Sequence, residues 1–570
     1  MKESTEKIPE TQYAVQLVGP GRIELNRAKP VDRPGPHQIL ARIEATALCF
    51  SDLKLVKQFS EHTRKGEIVQ GIDRKTLAEI PSYVPGEKPT VPGHETACRI
   101  VAVGEKVRRH KVGERCLVQT DYRSLATRGS VAAFGYNFEG GLQEYVLMDE
   151  RVVIDPKTDK RYLIGVGEEM SAAAVCLVEP WACVEDSYVT VERRTAKAGG
   201  AMLVVAEAGH AVAGLAESFS PDGPPAEVTM VCSEESQRRA VKALGAPTVE
   251  KRGVEGLANE AFDDVIYFGA RAEGIERLND KLAAGGIINI VTGGRRIGGR
   301  VSVGVGRIHY SMCRWVGTTG ESAAESYGSI PASGEIRPGE KILVIGAGGP
   351  MGQMHVIRNI CSGLGGISVT ATDLDPRRVK VLGEKVRTLA AAQGVPVRPL
   401  DAPMPRDGEE YSYIVIAAPA PEVTTEAIDR ATRGGIVNLF AGVPIGTRQE
   451  LDLDRYIERG CFLFGTSGSV IRDMEIVLAK VRSGRLDTAR SVDAISGMAG
   501  VADGIEAIEK RSLAGKIVVY PSCHELGLVA LAEMGRRLPN VAAKLDGGQW
   551  GKEAERELLA TEGDTERPKV

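Results

Sequence analysis

The 570-residue chain is 43% apolar and 26% charged, with a formal net charge of -4; it is too long for one core and suits about three or four packed units. Mixed charges without a basic stripe or an acidic block exclude nucleic acid as a partner and a disordered acidic tail. There is no apolar run of the ~18 residues that span a membrane, no signal-peptide core between Met1 and Gln16, and the ten cysteines are scattered as in a reducing compartment, so a cytoplasmic protein without membrane contact is expected.

Residues 12 to 48 alternate apolar and polar with Pro and Gly between the runs, which is strand and turn sequence. Cys49 arrives where that pattern gives way to a helix-like start, Ser51-Asp52-Leu53-Lys54-Leu55-Val56. The charged stretch from Lys57 to Thr90 reads as a long solvated loop; as a lid, it would offer Arg64 or Lys65 to a phosphate. Pro92-Gly93-His94-Glu95 opens the next apolar run, and Met170 to Glu192 has helical periodicity around Glu179-Pro180-Trp181. Cys49, His94 and Glu179 supply a thiolate, an imidazole and a carboxylate, donor types that together hold a catalytic zinc and leave a fourth position open. None carries that reading alone, because a buried Cys is more often a small hydrophobe and a lone His a satisfied core residue.

After Gly199, short β-branched runs alternate with helical segments, the mark of a parallel α/β sheet. The pattern occurs twice. Met202 to Gly209 corresponds to Ile342 to Gly349, Gly285 to Ile290 to Gly434 to Leu439, and Cys313 to Gly320 to Cys461 to Gly468. The two copies of this Rossmann-type unit are not equivalent. A dinucleotide loop needs glycines so that the backbone can turn tightly and approach the pyrophosphate at a helix N-terminus. The second copy supplies Gly346, Gly348, Gly349 and Gly352, with Met351 in the same turn, and its next strand ends in Asp373. The first copy has Ala206 and Ala208 at the matching places, and its second strand ends in Cys232-Ser233 with no acid at that point. The second copy is therefore expected to bind the cofactor. Asp373 would accept hydrogen bonds from the adenosine ribose and repel a 2'-phosphate, which favours NAD over NADP. The glycines read G-x-G-x-x-x-G, one residue longer than the usual spacing, so the loop depends on its strand, helix and acid for its meaning.

Gly93-His94-Glu95-Thr96-Ala97-Cys98, the turn Lys111-Val112-Gly113-Glu114-Arg115-Cys116, and Glu139-Gly140-Gly141-Leu142-Gln143-Glu144-Tyr145-Val146 resemble segments of the medium-chain, zinc-dependent alcohol and polyol dehydrogenases. The resemblance covers about residues 12 to 190 and 335 to 520. It implies an α/β fold in which a GroES-like β-rich catalytic domain is joined to two tandem Rossmann-type doubly wound parallel-sheet units, the first degenerate. The expected boundaries are 1–196 for the N-terminal part of the catalytic domain, 197–334 and 335–466 for the two nucleotide-type units, 467–520 for the return to the catalytic domain, and 521–570 for a helical tail.

The family activity is reversible alcohol-to-carbonyl oxidoreduction. Cys49, His94 and Glu179 would hold a zinc ion that acts as a Lewis acid on the substrate oxygen, with hydride passing to the nicotinamide. Ser51 falls where the family keeps a hydroxyl that passes the alcohol proton outward, although as a helix N-cap it has another use. The family's relay His is replaced by Lys54. Glu95 would enter the metal shell or orient a ligand. Arg378 lies where relatives place a base against the ribose. Leu117 to Phe138 lacks the four cysteines of a structural zinc site, so one zinc per chain is expected. Glu at the third ligand position, with Cys-Phe-Ser-Asp-Leu-Lys and Glu-Pro-Trp-Ala-Cys-Val-Glu-Asp, is similar to the polyol branch of the sorbitol dehydrogenase and L-sorbose 1-phosphate reductase-like type. The implied substrate is a polyol, sugar or sugar phosphate, in a homo-oligomer, dimer or tetramer. Threonine dehydrogenase-like amino-alcohol oxidation and a non-catalytic ligand-binding or sensing protein are the alternatives. The spare unit is expected to widen an oligomer interface or to cover the cleft.

Overall fold

The computed structural model describes residues 2–3, 7–406 and 408–563. Residues 1 and 4–6 of the N-terminal segment and 564–570 of the expected tail lie outside the described residues. The chain divides into two compact units, one made of Met1–Cys183 with Ser469–Val570, the other of Val184–Gly468. The expected boundary at 196/197 thus lies after the division in the structure, and the two nucleotide-type copies share one unit.

The first unit is built on a sheet that is antiparallel except where Lys516–Val519 meets Val492–Ser496 in parallel. Its long strand Gln38–Leu48 pairs with Glu95–Val103 on one side and with Lys516–Val519 on the other, so the segment that returns after residue 468 completes the sheet begun near the N-terminus. All but one position of Glu95–Val103 is buried, which is why it reads as a nearly continuous apolar run instead of an alternation. The helix Ala172–Cys176 packs on both long strands and leads into Val178–Val189, which carries Glu179.

The C-terminal tail docks on this same unit. Glu555, in the helix Lys552–Thr561, accepts from the backbone amides of Ala172 at 2.6 Å and Ala173 at 2.8 Å. The Tyr520 hydroxyl donates to Glu555 at 2.9 Å and accepts from the Trp550 indole at 2.8 Å. A carboxylate thus satisfies orphan donors at the start of Ala172–Cys176, as a helix N-terminus requires.

The second unit contains a twelve-stranded sheet. Its strands are β1 Ala201–Ala206, β2 Glu227–Cys232, β3 Thr248–Glu250, β4 Phe262–Phe268, β5 Leu282–Val291, β6 Arg314–Thr318, β7 Lys341–Ile345, β8 Ser368–Asp373, β9 Val397–Asp401, β10 Tyr411–Ile416, β11 Ala431–Asn438 and β12 Phe462–Phe464. Their spatial order is β3-β2-β1-β4-β5-β6-β12-β11-β10-β7-β8-β9. Each half has the order of a dinucleotide-binding fold, 3-2-1-4-5-6. The pairings along the sheet are parallel except at the junction, where β6 meets β12 antiparallel at Trp315 and Leu463. One hydrophobic cluster runs through both halves, from Leu203 and Val265 to Trp315, Tyr456 and Leu463.

Beside the junction, Arg314 donates to both oxygens of Glu192 at 2.8 and 2.9 Å, with each side chain 6% exposed. Removing one partner of such a buried pair leaves an uncompensated charge. Glu192→Ala is expected to lower the unfolding free energy by about 3–5 kcal/mol in urea titrations. Glu255→Ala, which breaks the exposed pair with Arg277, is expected to cost less than about 1 kcal/mol.

Candidate functional site

Strand register assembles the first candidate site. Ala47 lies opposite Glu95 and Leu48 opposite Ile517, so Cys49, His94 and Lys516, each one residue beyond a paired position, meet at the same end of the sheet. Cys49 is also the N-cap of the helix Phe50–Gln58, and Asp52 in the first turn closes that end. One Asp52 oxygen accepts from the Cys49 amide at 2.9 Å; the other accepts from the Gly93 amide at 3.2 Å and lies 3.2 Å from His94 Nδ1. This fixes the imidazole through one nitrogen and leaves Nε2 as its second donor. Asp52 was legible only as a helix-start acid; its spacing to Cys49 is that of a capping box.

Donor atoms of Cys49, His94 and Glu95 lie within 4.8 Å of one another. Glu95 is fully buried; one oxygen accepts from Lys516 at 2.5 Å and the other has no hydrogen-bond partner. A buried carboxylate oxygen without a partner is costly, and a thiolate, an imidazole and a carboxylate match the donor set of a catalytic zinc. These residues therefore fit a zinc ion. Burial opposes ionisation of the Cys49 thiol, yet Lys516 and His94 bring it down to about 5, into the range where a thiol is a ready metal ligand. Burial pushes the Glu95 carboxyl up against the pull of Lys516.

Glu179, expected as the third ligand, is buried and interacts electrostatically with His94, Cys49 and Lys516. It stands outside the group of atoms within 4.8 Å, where Glu95 stands instead. Burial raises the Glu179 carboxyl to about 7. Ser51 Oγ lies 3.7 Å from Cys49 Sγ and accepts its hydrogen bond. Lys54 is exposed, 5.5 Å from the Phe50 ring centre.

The stretch after Lys57 is folded, not a solvated excursion. The buried Lys65 donates to the carbonyls of Val84 and Lys88 and so serves structure. Arg64 pairs with Asp121 at 3.1 Å. The Tyr136 ring is a shared wall, with the Arg64 guanidinium 5.3 Å, the His62 ring 5.1 Å and the His94 ring 5.5 Å from its centre. Composition does not reveal Tyr136 or Lys516 as neighbours of Cys49, because each comes from a different strand or turn.

The second candidate site is the glycine loop after β7. Gly346 has φ 77°, a conformation that favours glycine. A Cβ on Gly352 would lie 2.3 Å from the Gly346 carbonyl oxygen, so the helix Pro350–Ile360 can approach the strand only with glycine there. A Cβ on Gly348 would lie 2.9 Å from an Asp373 oxygen, and the Gly348 amide donates to Asp373 at 2.9 Å. Gly349 caps the helix, with Met351 half-buried in its first turn. The extra residue in the glycine spacing thus still places an acid and a helix N-terminus at the loop. Arg377 is engaged by Asp375 at 2.9 Å, and the Arg378 guanidinium lies beside Gly349. These features fit a dinucleotide.

The first copy offers this only in part: its Gly209 amide donates to Glu234 at 2.7 Å, as Gly348 does to Asp373, but Ala206 and Ala208 stand at the places of Gly346 and Gly348 and the long helix is missing. Among the described residues between β1 and β2 there is only a single 3-10 turn, Ala216–Ser218. The Glu207 carboxylate accepts from Tyr267 at 2.6 Å, and the amide of Gln237 donates to the carbonyls of Glu207 and His210. A carboxylate and filled carbonyls stand where a phosphate would need free amides.

Residues 35–158 match the alcohol dehydrogenase GroES-like domain. The chain is 24% identical over 342 residues, 54% of this chain and 75% of the relative, to the uncharacterized protein YggP of Escherichia coli. It is 28% identical over 182 residues to D-altritol 5-dehydrogenase of Agrobacterium fabrum, covering 30% of this chain and 44% of that protein. It is also 28% identical over 158 residues to the zinc-type alcohol dehydrogenase-like protein YphC of Escherichia coli, covering 25% and 40%.

The helix that follows the glycine loop carries a pH sensitivity of its own. His355 is fully buried, with its Nδ1 2.8 Å from the Tyr188 hydroxyl and its Nε2 without a partner. Burial and Arg358 lower it from 6.5 to about 3. Between these values the unfolded chain binds a proton that the folded chain does not, so stability falls as pH falls. The expected slope is roughly 1 kcal/mol per pH unit between pH 6 and 4. Urea titrations across that range should show the slope reduced in His355→Gln.

Proposed function

We infer that this chain, which belongs with the zinc-type, medium-chain alcohol dehydrogenases through its GroES-like domain and its relatives, is a zinc-dependent oxidoreductase. It would move a hydride between NAD(H) and a secondary alcohol or ketone of a polyol, sugar or sugar phosphate. The observation that carries this reading is the buried convergence of Cys49, His94 and Glu95, with one Glu95 oxygen left without a partner.

Cys49, His94 and Glu95 would hold the ion, with Glu179 as a further carboxyl at the site. When bound, zinc supplies Lewis-acid polarisation of the substrate oxygen and NAD supplies the hydride acceptor. Asp52 fixes the His94 ring, and Lys516 balances the charge of Glu95. Ser51, whose Oγ lies 3.7 Å from Cys49 Sγ, would take the alcohol proton at Oγ as its own hydroxyl proton passes on to solvent. Asp373 selects the ribose of NAD and disfavours the 2'-phosphate of NADP, with Gly346, Gly348, Gly349, Met351, Gly352 and Arg378 forming the rest of the nucleotide loop. A polyol is supported by the similarity to a D-altritol 5-dehydrogenase and by the Arg64–Asp121 pair, a donor and an acceptor for hydroxyls beside Tyr136.

Elemental analysis of the purified chain is expected to give one zinc per chain. NADH formation is expected on a panel of polyols, sugars and sugar phosphates, and not on L-threonine. Metal-free protein that binds a polyol without forming NADH would replace this reading with a sensing role; turnover of L-threonine alone would move it to amino alcohols. Asp52→Asn should weaken zinc binding 10–100-fold with unchanged circular dichroism. Asp373→Ser should reduce the preference for NAD over NADP in kcat/KM by about tenfold, an energy of about 1.4 kcal/mol.

A further inference from the structure

The two halves of the twelve-stranded sheet meet in a way that duplication alone does not require. Cys313 and Cys461 are counterparts in the two copies, 148 positions apart (313 to 461), and the helices Val305–Tyr310 and Leu453–Arg459 begin at the same offset. At the junction of β6 and β12, Trp315 pairs with Leu463, its own counterpart at that offset.

A second antiparallel pair repeats the relation. In Val301–Val303 with Gln449–Leu451, Ser302 lies opposite its counterpart Glu450, Val301 opposite Leu451 and Val303 opposite Gln449. The outer two pairs exchange on swapping the copies. Residue i thus faces j while the counterpart of j faces the counterpart of i, which is the signature of an isologous, twofold contact. Two separate strand pairs, each centred on self-equivalent residues, define one twofold relation between the halves. Identical subunits form contacts of this kind, whereas tandem domains joined head to tail have no reason to.

We propose that the first copy is a built-in partner: it covers, within one chain, the edge through which the nucleotide-binding copy would otherwise join a second chain, and the protein is consequently a monomer. This takes the place of the homo-oligomer that the resemblance implies, and it does not depend on the proposed activity. It also explains why a unit that has Ala206 and Ala208 in place of Gly346 and Gly348, and only a 3-10 turn between its first two strands, keeps all six strands. Its core continues that of the second copy, with the Tyr456 hydroxyl donating to the Trp315 carbonyl at 2.6 Å and accepting from the Leu463 amide at 3.1 Å. Because β6 and β12 cover each other, the sheet's outer strands are β3 and β9. Both are short and have no buried side chain, a poor template for another chain.

Sedimentation of the full chain should give one-chain mass, 60.9 kDa, unchanged on dilution. A two-chain mass would overturn the proposal. The double variant Ser302→Cys with Glu450→Cys places two thiols across the second strand pair, within disulfide reach. Mild oxidation should yield a one-chain band of altered, reductant-sensitive mobility on denaturing gels, absent in either single variant. A covalent two-chain band would show that the junction forms between chains, and failure to cross-link would show that these strands do not pair; either result overturns it.

Discussion

The antiparallel register about Gln38–Leu48 is the constraint on which the candidate metal site depends. It brings Cys49, His94, Glu95 and Lys516 to one end of one sheet, although Lys516 is 421 positions from Glu95. A slip of one residue would turn each side chain to the opposite face and separate the thiol from the imidazole. Buried apolar residues on both neighbouring strands hold the register, and the Lys516–Glu95 pair rewards it only when it is correct. Such a pair is weak as a source of net stability, since desolvation offsets its attraction; its effect here is on charge, keeping a carboxylate and a thiolate tolerable in a closed site.

Around that centre the chain spends its additional segments on support. The stretch after Lys57 is fastened by Lys65 and contributes Arg64 to the wall formed by Tyr136. The tail, far away in sequence, inserts Glu555 at the start of the helix that precedes Glu179. In both cases a charged residue that would read as solvated surface is placed indoors because backbone groups there need a partner.

The two nucleotide-type copies pair one fold with two different loops. The same six-strand order is kept in both, because packing depends on apolar pattern. Cofactor capacity depends on a few loop positions, where glycine permits close approach and an acid meets the ribose. Substitutions at those positions leave the apolar pattern intact, so the strand order is the same in both copies.

Much was legible from residues alone. The β-branched periodicity and the two-copy correspondence disclosed the parallel sheets, and the asymmetry of Gly346, Gly348 and Gly352 against Ala206 and Ala208 distinguished the copies, since glycine requirements are local backbone properties. Cys49 and His94 were visible as donors in context. The choice between Glu95 and Glu179 as the nearest carboxylate, the partnership with Lys516, the use of Asp52 and Tyr136, and the twofold junction at Trp315 and Leu463 were decided only by tertiary structure. Those facts depend on which strands pair and in what register, and pairing between distant segments is set by the whole core and leaves no trace in local spacing.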